Sequence, residues 1–176
     1  EVMEYCDKLV PDADGFRTHR YFEVNDILDE YARRGFKFFS NHCTRCEENI
    51  TPLHHRSGMV SIPIFFEDGG YLIMDPHLNT DVLKRHLDTP GLKVINFHAA
   101  HMAFNTPKFE FTRKIKDSMS REVWNNLDQK ALKDLSYSGF GIRNVLELII
   151  EHVLKRNHKI KTITQISEEF IAAKNI

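Results

Sequence analysis

Apolar and polar positions along the 176-residue chain follow two rhythms in turn. Apolar residues every 3.6 positions mark amphipathic helices, and short apolar runs bounded by turn residues mark buried strands. EVMEYCDKL predicts an opening helix, and GFRTH, after the turn PDADG, predicts a first strand. VNDILDEYARRG predicts a helix: Val24, Ile27, Leu28 and Tyr31 share one face, and Gly35 suits its C-terminal cap. FKFF predicts strand two, residues 40–58 a long polar loop, VSIPIFF strand three, and LKVINF strand four. Between the last two, TDVLKRHLD predicts a helix with Thr80 as its N-cap. Beyond residue 107, SREVWNNLDQKALKDL predicts a helix capped by Ser120. IRNVLELIIEHVLKRN, the most apolar helix, is expected against the sheet; KIKTIT predicts a fifth strand and ISEEFIAAK a closing helix.

Such alternation predicts an α/β fold with mainly parallel strands, a single domain over residues 1–176. Parallel sheets and barrels place function just after the strands. Strand one runs into Arg17-Thr18-His19-Arg20-Tyr21, strand two into Ser40-Asn41-His42, strand three into Glu67-Asp68, and strand four into His98. Four successive ends thus carry groups that ionise or hydrogen-bond, a rim able to move protons, hold a metal or grip a sugar. His101 and Asn105 follow His98 in H-x-x-H-x-x-x-N. Plainer readings stand beside this one. His98 could be a core imidazole bonded to a carbonyl, Asp68 an Asx residue serving a turn at Gly69-Gly70, Arg17 an ion-pair partner, and Tyr21 a packing residue.

Composition narrows the function classes. The chain is 41% hydrophobic and 28% charged with a formal net charge of -1, so no basic field points to nucleic acid. No apolar run reaches the length of a membrane span, and residues 1–10 are acidic and amphipathic rather than a signal peptide. Three cysteines suit a reducing compartment, and a cytoplasmic location is expected. Cys43 and Cys46 have C-x-x-C spacing with His54 and His55 nearby, which opens a zinc-loop reading. A structural zinc site normally takes two separated ligand pairs, and neighbouring His54 and His55 point opposite ways in an extended segment, so reduced thiols are expected instead.

The order of the pieces resembles a known family. GFRTHRYFEVNDILDEYARRGFKFFSN is similar to the polysaccharide deacetylase segment in which an Arg near a strand end precedes an aromatic, a helix ending in Gly, and a strand. SGMVSIPIFFEDGG resembles the next strand with its acidic end, and VINFHAAHMAFNT the late strand that ends in His. The combination is most similar to the WbmS-like branch, tied to bacterial surface-polysaccharide clusters, and extends from about Pro11 to Phe170. The resemblance implies an incomplete distorted (β/α) barrel that removes an acetyl group from a sugar amide. It implies a divalent metal, most often zinc, that holds water and the acetyl oxygen while a carboxylate takes the water proton. It makes His98 the general acid, Asp68 the carboxylate that orients it, and Arg17 the partner of the catalytic carboxylate. Tyr21, Glu67, His101 and Asn105 become candidate substrate contacts, with a carbohydrate as partner.

The departure lies in the metal motifs. The family's Asp-Asp and H-x-x-x-H motifs belong before residue 11, and neither occurs anywhere in the sequence. The metal ligands are therefore unassigned. The chain is expected to be the C-terminal part of a longer domain, to draw its metal half from another chain or a second copy, or to lack catalysis. Three function classes follow: a metal-dependent sugar-amide hydrolase, a saccharide- or protein-binding module on the same scaffold, and a zinc-loop interaction domain.

Overall fold

The computed structural model describes residues 2–173 and shows a mixed α/β fold with mainly parallel strands. Helix α1 (Val2–Leu9) leads to β1 (Gly15–Phe16), a 3-10 turn at His19–Tyr21, α2 (Asn25–Arg33) and β2 (Phe38–Phe39). Then come β3 (Leu53–His54), β4 (Val60–Ser61), β5 (Phe66–Glu67), α3 (Asp68–Met74), α4 (Thr80–Asp88) and β6 (Ile95–Asn96). The rest is helical: α5 (Ala99–Ala103), α6 (Phe109–Asp117), α7 (Arg121–Asn125), α8 (Gln129–Leu135), α9 (Ile142–Lys155) and α10 (Ile163–Ala172).

One sheet has the order β1-β2-β4-β3, with β3 antiparallel to β4 and the other pairs parallel; β5 and β6 form a second, parallel pair. The expected third strand is split between the two sheets. Its first half pairs with β2, and Pro63, which has no N–H to donate, stands at the break. A bridge between Cys43 and Ile64 spans the gap, and Phe66 then donates to the Val94 carbonyl (3.1 Å). Among the described residues no sheet closes, so the barrel expected from the family resemblance is seen only as two sheet fragments.

Local capping overrode several expectations. KIKTIT is not a strand: Thr162 Oγ1 accepts from the Gln165 amide (3.2 Å) while Gln165 Oε1 accepts from the Thr162 amide (2.9 Å), and this capping box starts α10. The helix foreseen over SREVWNNLDQKALKDL is two helices, because Ser120 caps α7 and Asp128 caps α8 (Ala131 amide, 2.7 Å). Asn79 rather than Thr80 caps α4. The polar loop 40–58 holds β3, turned back onto β4 through Gly58 at φ 90°. The expected ends at Glu1 and Lys174 lie outside the described residues. The main core gathers Phe65, Phe66, Leu72, Leu83, Ile142, Val145 and Ile149, so the apolar α9 does pack where strand β5 meets α3 and α4.

Candidate functional site

The strand ends carry two groups of linked polar side chains, one around Asp68 and His98 and one around Arg17 and Asn96. EDGG, read as a possible turn, instead opens helix α3. Glu67 is the N-cap: its carboxylate accepts from the amides of Gly69 (3.1 Å) and Gly70 (2.5 Å). A Cβ on either glycine would lie 3.0 Å from a Glu67 oxygen, so both glycines leave room for the cap. Asp68, the first helical residue, is fully buried. Its Oδ2 accepts from the His98 amide (2.7 Å), and its Oδ1 accepts from the Gly69 amide (2.8 Å) and faces His98 Nδ1 at 2.6 Å.

This contact sets the tautomer of His98. A carboxylate that already accepts two amides cannot donate, so Nδ1 carries the proton and the ring turns Nε2 outward. The His98 side chain is 55% exposed, which rules out the core-histidine reading. His101 stands with its ring edge-on to His98, centroids 5.7 Å apart, and its Nδ1 meets Thr106 Oγ1 at 3.1 Å. Burial, the largest influence, pushes the His101 pKa down, against the pull of Asp68. One imidazole is thus exposed and backed by a carboxylate, while the other is sheltered and biased towards its neutral form.

In the second group Arg17 is bound by neutral groups. It donates to the Ser40 carbonyl (2.9 Å), Ser40 Oγ (3.0 Å) and Asn96 Oδ1 (2.7 Å). Asn96 Nδ2 in turn donates to the Tyr21 hydroxyl (2.8 Å). Burial and the nearby Glu67 charge push the Tyr21 pKa up to about 12, so it stays a neutral phenol. Arg20 and Tyr21 both adopt left-handed backbone angles (φ 55° and 56°), a conformation that non-glycine residues hold at a cost. Side chains of β1, β2 and β6 are therefore joined where no backbone ladder joins β6 to β1.

Asn105, expected as a substrate contact, is a structural tie. It is buried, its Nδ2 donates to the carbonyls of Tyr137 (3.1 Å) and Gly139 (2.9 Å), and its Oδ1 accepts from the Arg143 amide (3.0 Å). Gly141 is needed beside it, since a Cβ there would fall 2.1 Å from the Asn105 carbonyl oxygen. Sequence reasoning passed over Asn96 as a site residue. Its signal was present: a polar amide between Ile95 and Phe97, inside an otherwise apolar strand.

The C-x-x-C pair forms no metal site among the described residues: Cys43 and Cys46 are free thiols, and burial raises the Cys46 pKa to about 11. Asp68, His98 and His101 do bring ligand atoms within 4.8 Å of one another. Asp68 is fully buried, however, and each of its oxygens is held by a backbone amide, so a cation could recruit that carboxylate only by displacing those amides. With Asp68 held in this way, the two remaining imidazoles fall short of the three protein ligands of a catalytic zinc. The set fits an oriented proton donor, not the metal site that the family resemblance implies.

The profile of a family described as WbmS-like polysaccharide deacetylase matches residues 1–116. No curated protein matches the chain. A solved structure from Bordetella bronchiseptica, WbmS, described as a candidate polysaccharide deacetylase involved in O-antigen biosynthesis, is similar at 22% identity with a TM-score of 0.72. The similarity covers 85% of this chain and 60% of that one, so the chain spans less than two thirds of the length of the solved protein. That likeness supports the fold.

Proposed function

The chain belongs to the WbmS-like polysaccharide deacetylase family, and from that premise we propose that it takes part in removing an N-acetyl or other acyl group from a sugar in surface-polysaccharide synthesis. The observation that carries the reading is the contact between buried Asp68 and exposed His98 at 2.6 Å. In amide hydrolysis water adds to the carbonyl carbon and gives a proton to the carboxylate base that the family resemblance implies, the C–N bond breaks, and the departing nitrogen must gain a proton. His98 supplies it from Nε2 in its imidazolium form and is left as the neutral Nδ1–H tautomer that Asp68 holds. Tyr21, fixed by Asn96, offers a hydroxyl for a sugar oxygen.

Glu67 and Asp68 are both engaged by N–H donors, so neither is placed to take a proton from water. This observation favours a second reading for the chain acting alone: a saccharide-binding module on the same scaffold. Acetate release from a panel of N-acetylated amino sugars separates the two. Hydrolysis predicts release that falls on the order of 10²–10⁴-fold in His98→Ala, with little change in thermal stability because the ring is exposed. Binding of the sugars with no release supports the module, and lost stability with retained release would make His98 structural.

A further inference from the structure

Another group of ligand-type side chains lies away from these strand ends, at the far ends of α4 and α9. We infer that Asp88, His152 and His158 form a site for a divalent transition-metal cation of the nitrogen- and oxygen-binding class, with zinc as the reference ion. One ligand atom from each lies within 4.8 Å of the other two.

Each residue is placed by a separate local cause. Asp88 is the last residue of α4, next to the buried Leu87 that anchors this end of the helix in the core. His152 lies in the last turn of α9 and is largely covered, its side chain 12% exposed, so its ring is held rather than free to wander. Asn157 then takes a left-handed conformation (φ 54°), which folds the chain back so that the His158 amide donates to the Val153 carbonyl (3.1 Å). That reversal lays the His158 ring nearly parallel to His152, with centroids 6.5 Å apart and planes 29° off parallel.

An ordinary surface ion pair explains only part of this. Asp88 Oδ1 meets His152 Nε2 at 2.8 Å and Oδ2 accepts from Arg156 Nη2 at 2.9 Å. Those contacts leave out His158, whose ring makes no side-chain hydrogen bond among the described residues. Two ligand atoms bound to one zinc sit about 3.0–3.4 Å apart, given metal–ligand distances near 2.1 Å. The Asp88–His152 separation is already close to that, and Asp88, unlike Asp68, is held by side chains with no backbone amide on either oxygen among the described residues, so an ion can replace the shared proton with little movement. Two imidazoles and one carboxylate with solvent on one side match the preference of zinc and its neighbours for borderline ligands. Arg156 is the opposing feature: it occupies Oδ2 and its charge repels a cation. Bound, the ion would clip the C-terminal ends of α4 and α9 together over the main core.

The test is calorimetric titration of zinc into the protein, with cobalt absorption as the second readout. We expect one zinc per chain, lost about tenfold or more in affinity in His158→Ala and in Asp88→Asn, as removing a ligand should. His158 is exposed, so its replacement leaves the fold intact. Arg156→Gln should tighten binding, the opposite of what a plain Asp–Arg bridge predicts. The cobalt spectrum should lack thiolate charge transfer. Absence of zinc uptake up to millimolar concentration, uptake unchanged in both ligand variants, or a thiolate spectrum would overturn the site.

Discussion

Replacing Asp68 by Asn keeps the side-chain shape and changes only what one oxygen can do. Asp68 is fully buried and receives three N–H groups, two from backbone and one from His98 Nδ1. The substituted side chain can keep the His98 amide bond through its remaining oxygen. Its NH2 must then replace Oδ1, where it faces Nδ1 and the Gly69 amide. The Gly69 amide still has Glu67 Oε1 at 3.1 Å. The least costly outcome is for the new carboxamide to donate to Nδ1, which forces the imidazole proton to Nε2 against the pull of Glu67 Oε1, 3.2 Å from Nδ1. Exchanging a charge-assisted bond for a neutral one costs about 1–2 kcal/mol, a fall in melting temperature of roughly 2–8 °C for a chain of this size. The larger effect is chemical, since the imidazolium that donates from Nε2 loses the carboxylate that faces and orients it, and loss of the equivalent carboxylate in serine proteases lowers turnover by about 10⁴-fold. Nitrogen NMR of the imidazole in wild type and Asp68→Asn reads the tautomer directly and needs no substrate. A proton that stays on Nδ1 in the variant, or a variant as stable as wild type, would refute the assigned role of Asp68.

Two further outcomes test the surroundings of this pair. The His101 pKa is held below its ordinary 6.5, first by burial, so as pH falls through that value the unfolded chain gains a proton before the folded one and stability declines. His101→Gln should flatten this decline in urea unfolding measured across pH 7.5 to 5 (roughly one unit either side of the ordinary histidine range), and an unchanged slope would contradict it. Asn105→Ala removes its hydrogen bonds to the Tyr137 and Gly139 carbonyls, on exposed residues that water can reach, and to the half-buried Arg143 amide. The expected loss is about 1–2 kcal/mol in a chemical denaturation curve, at about 0.5–1.5 kcal/mol net for each lost bond, and no measurable loss would show that the tie at Gly141 matters little.

The local pattern of the chain determined most of its elements and the strand ends worth watching. Leu28 and the face around it marked α2, Leu83 and Leu87 are the buried positions of the helix read as TDVLKRHLD, and the run VINFH ended a strand in a residue unlike a turn former. These are short-range facts, because a helix face or a strand alternation is written within a dozen residues. Capping chemistry is equally local and could have been read: T-x-x-Q at Thr162 and the aspartate at 128 were sufficient to remove a strand and split a helix. What tertiary structure alone decided was partnership. Asp68 and His98 are thirty positions apart, and Arg17 and Asn96 seventy-nine. Nothing in the spacing says that Glu67 would be spent on capping α3, that Asn105 would be sealed beneath Gly141, or that Asn157 would swing His158 back to His152. Those outcomes depend on how β5, β6, α4 and α9 pack around one core, and packing joins residues by their distance in space, which the order of the chain does not contain.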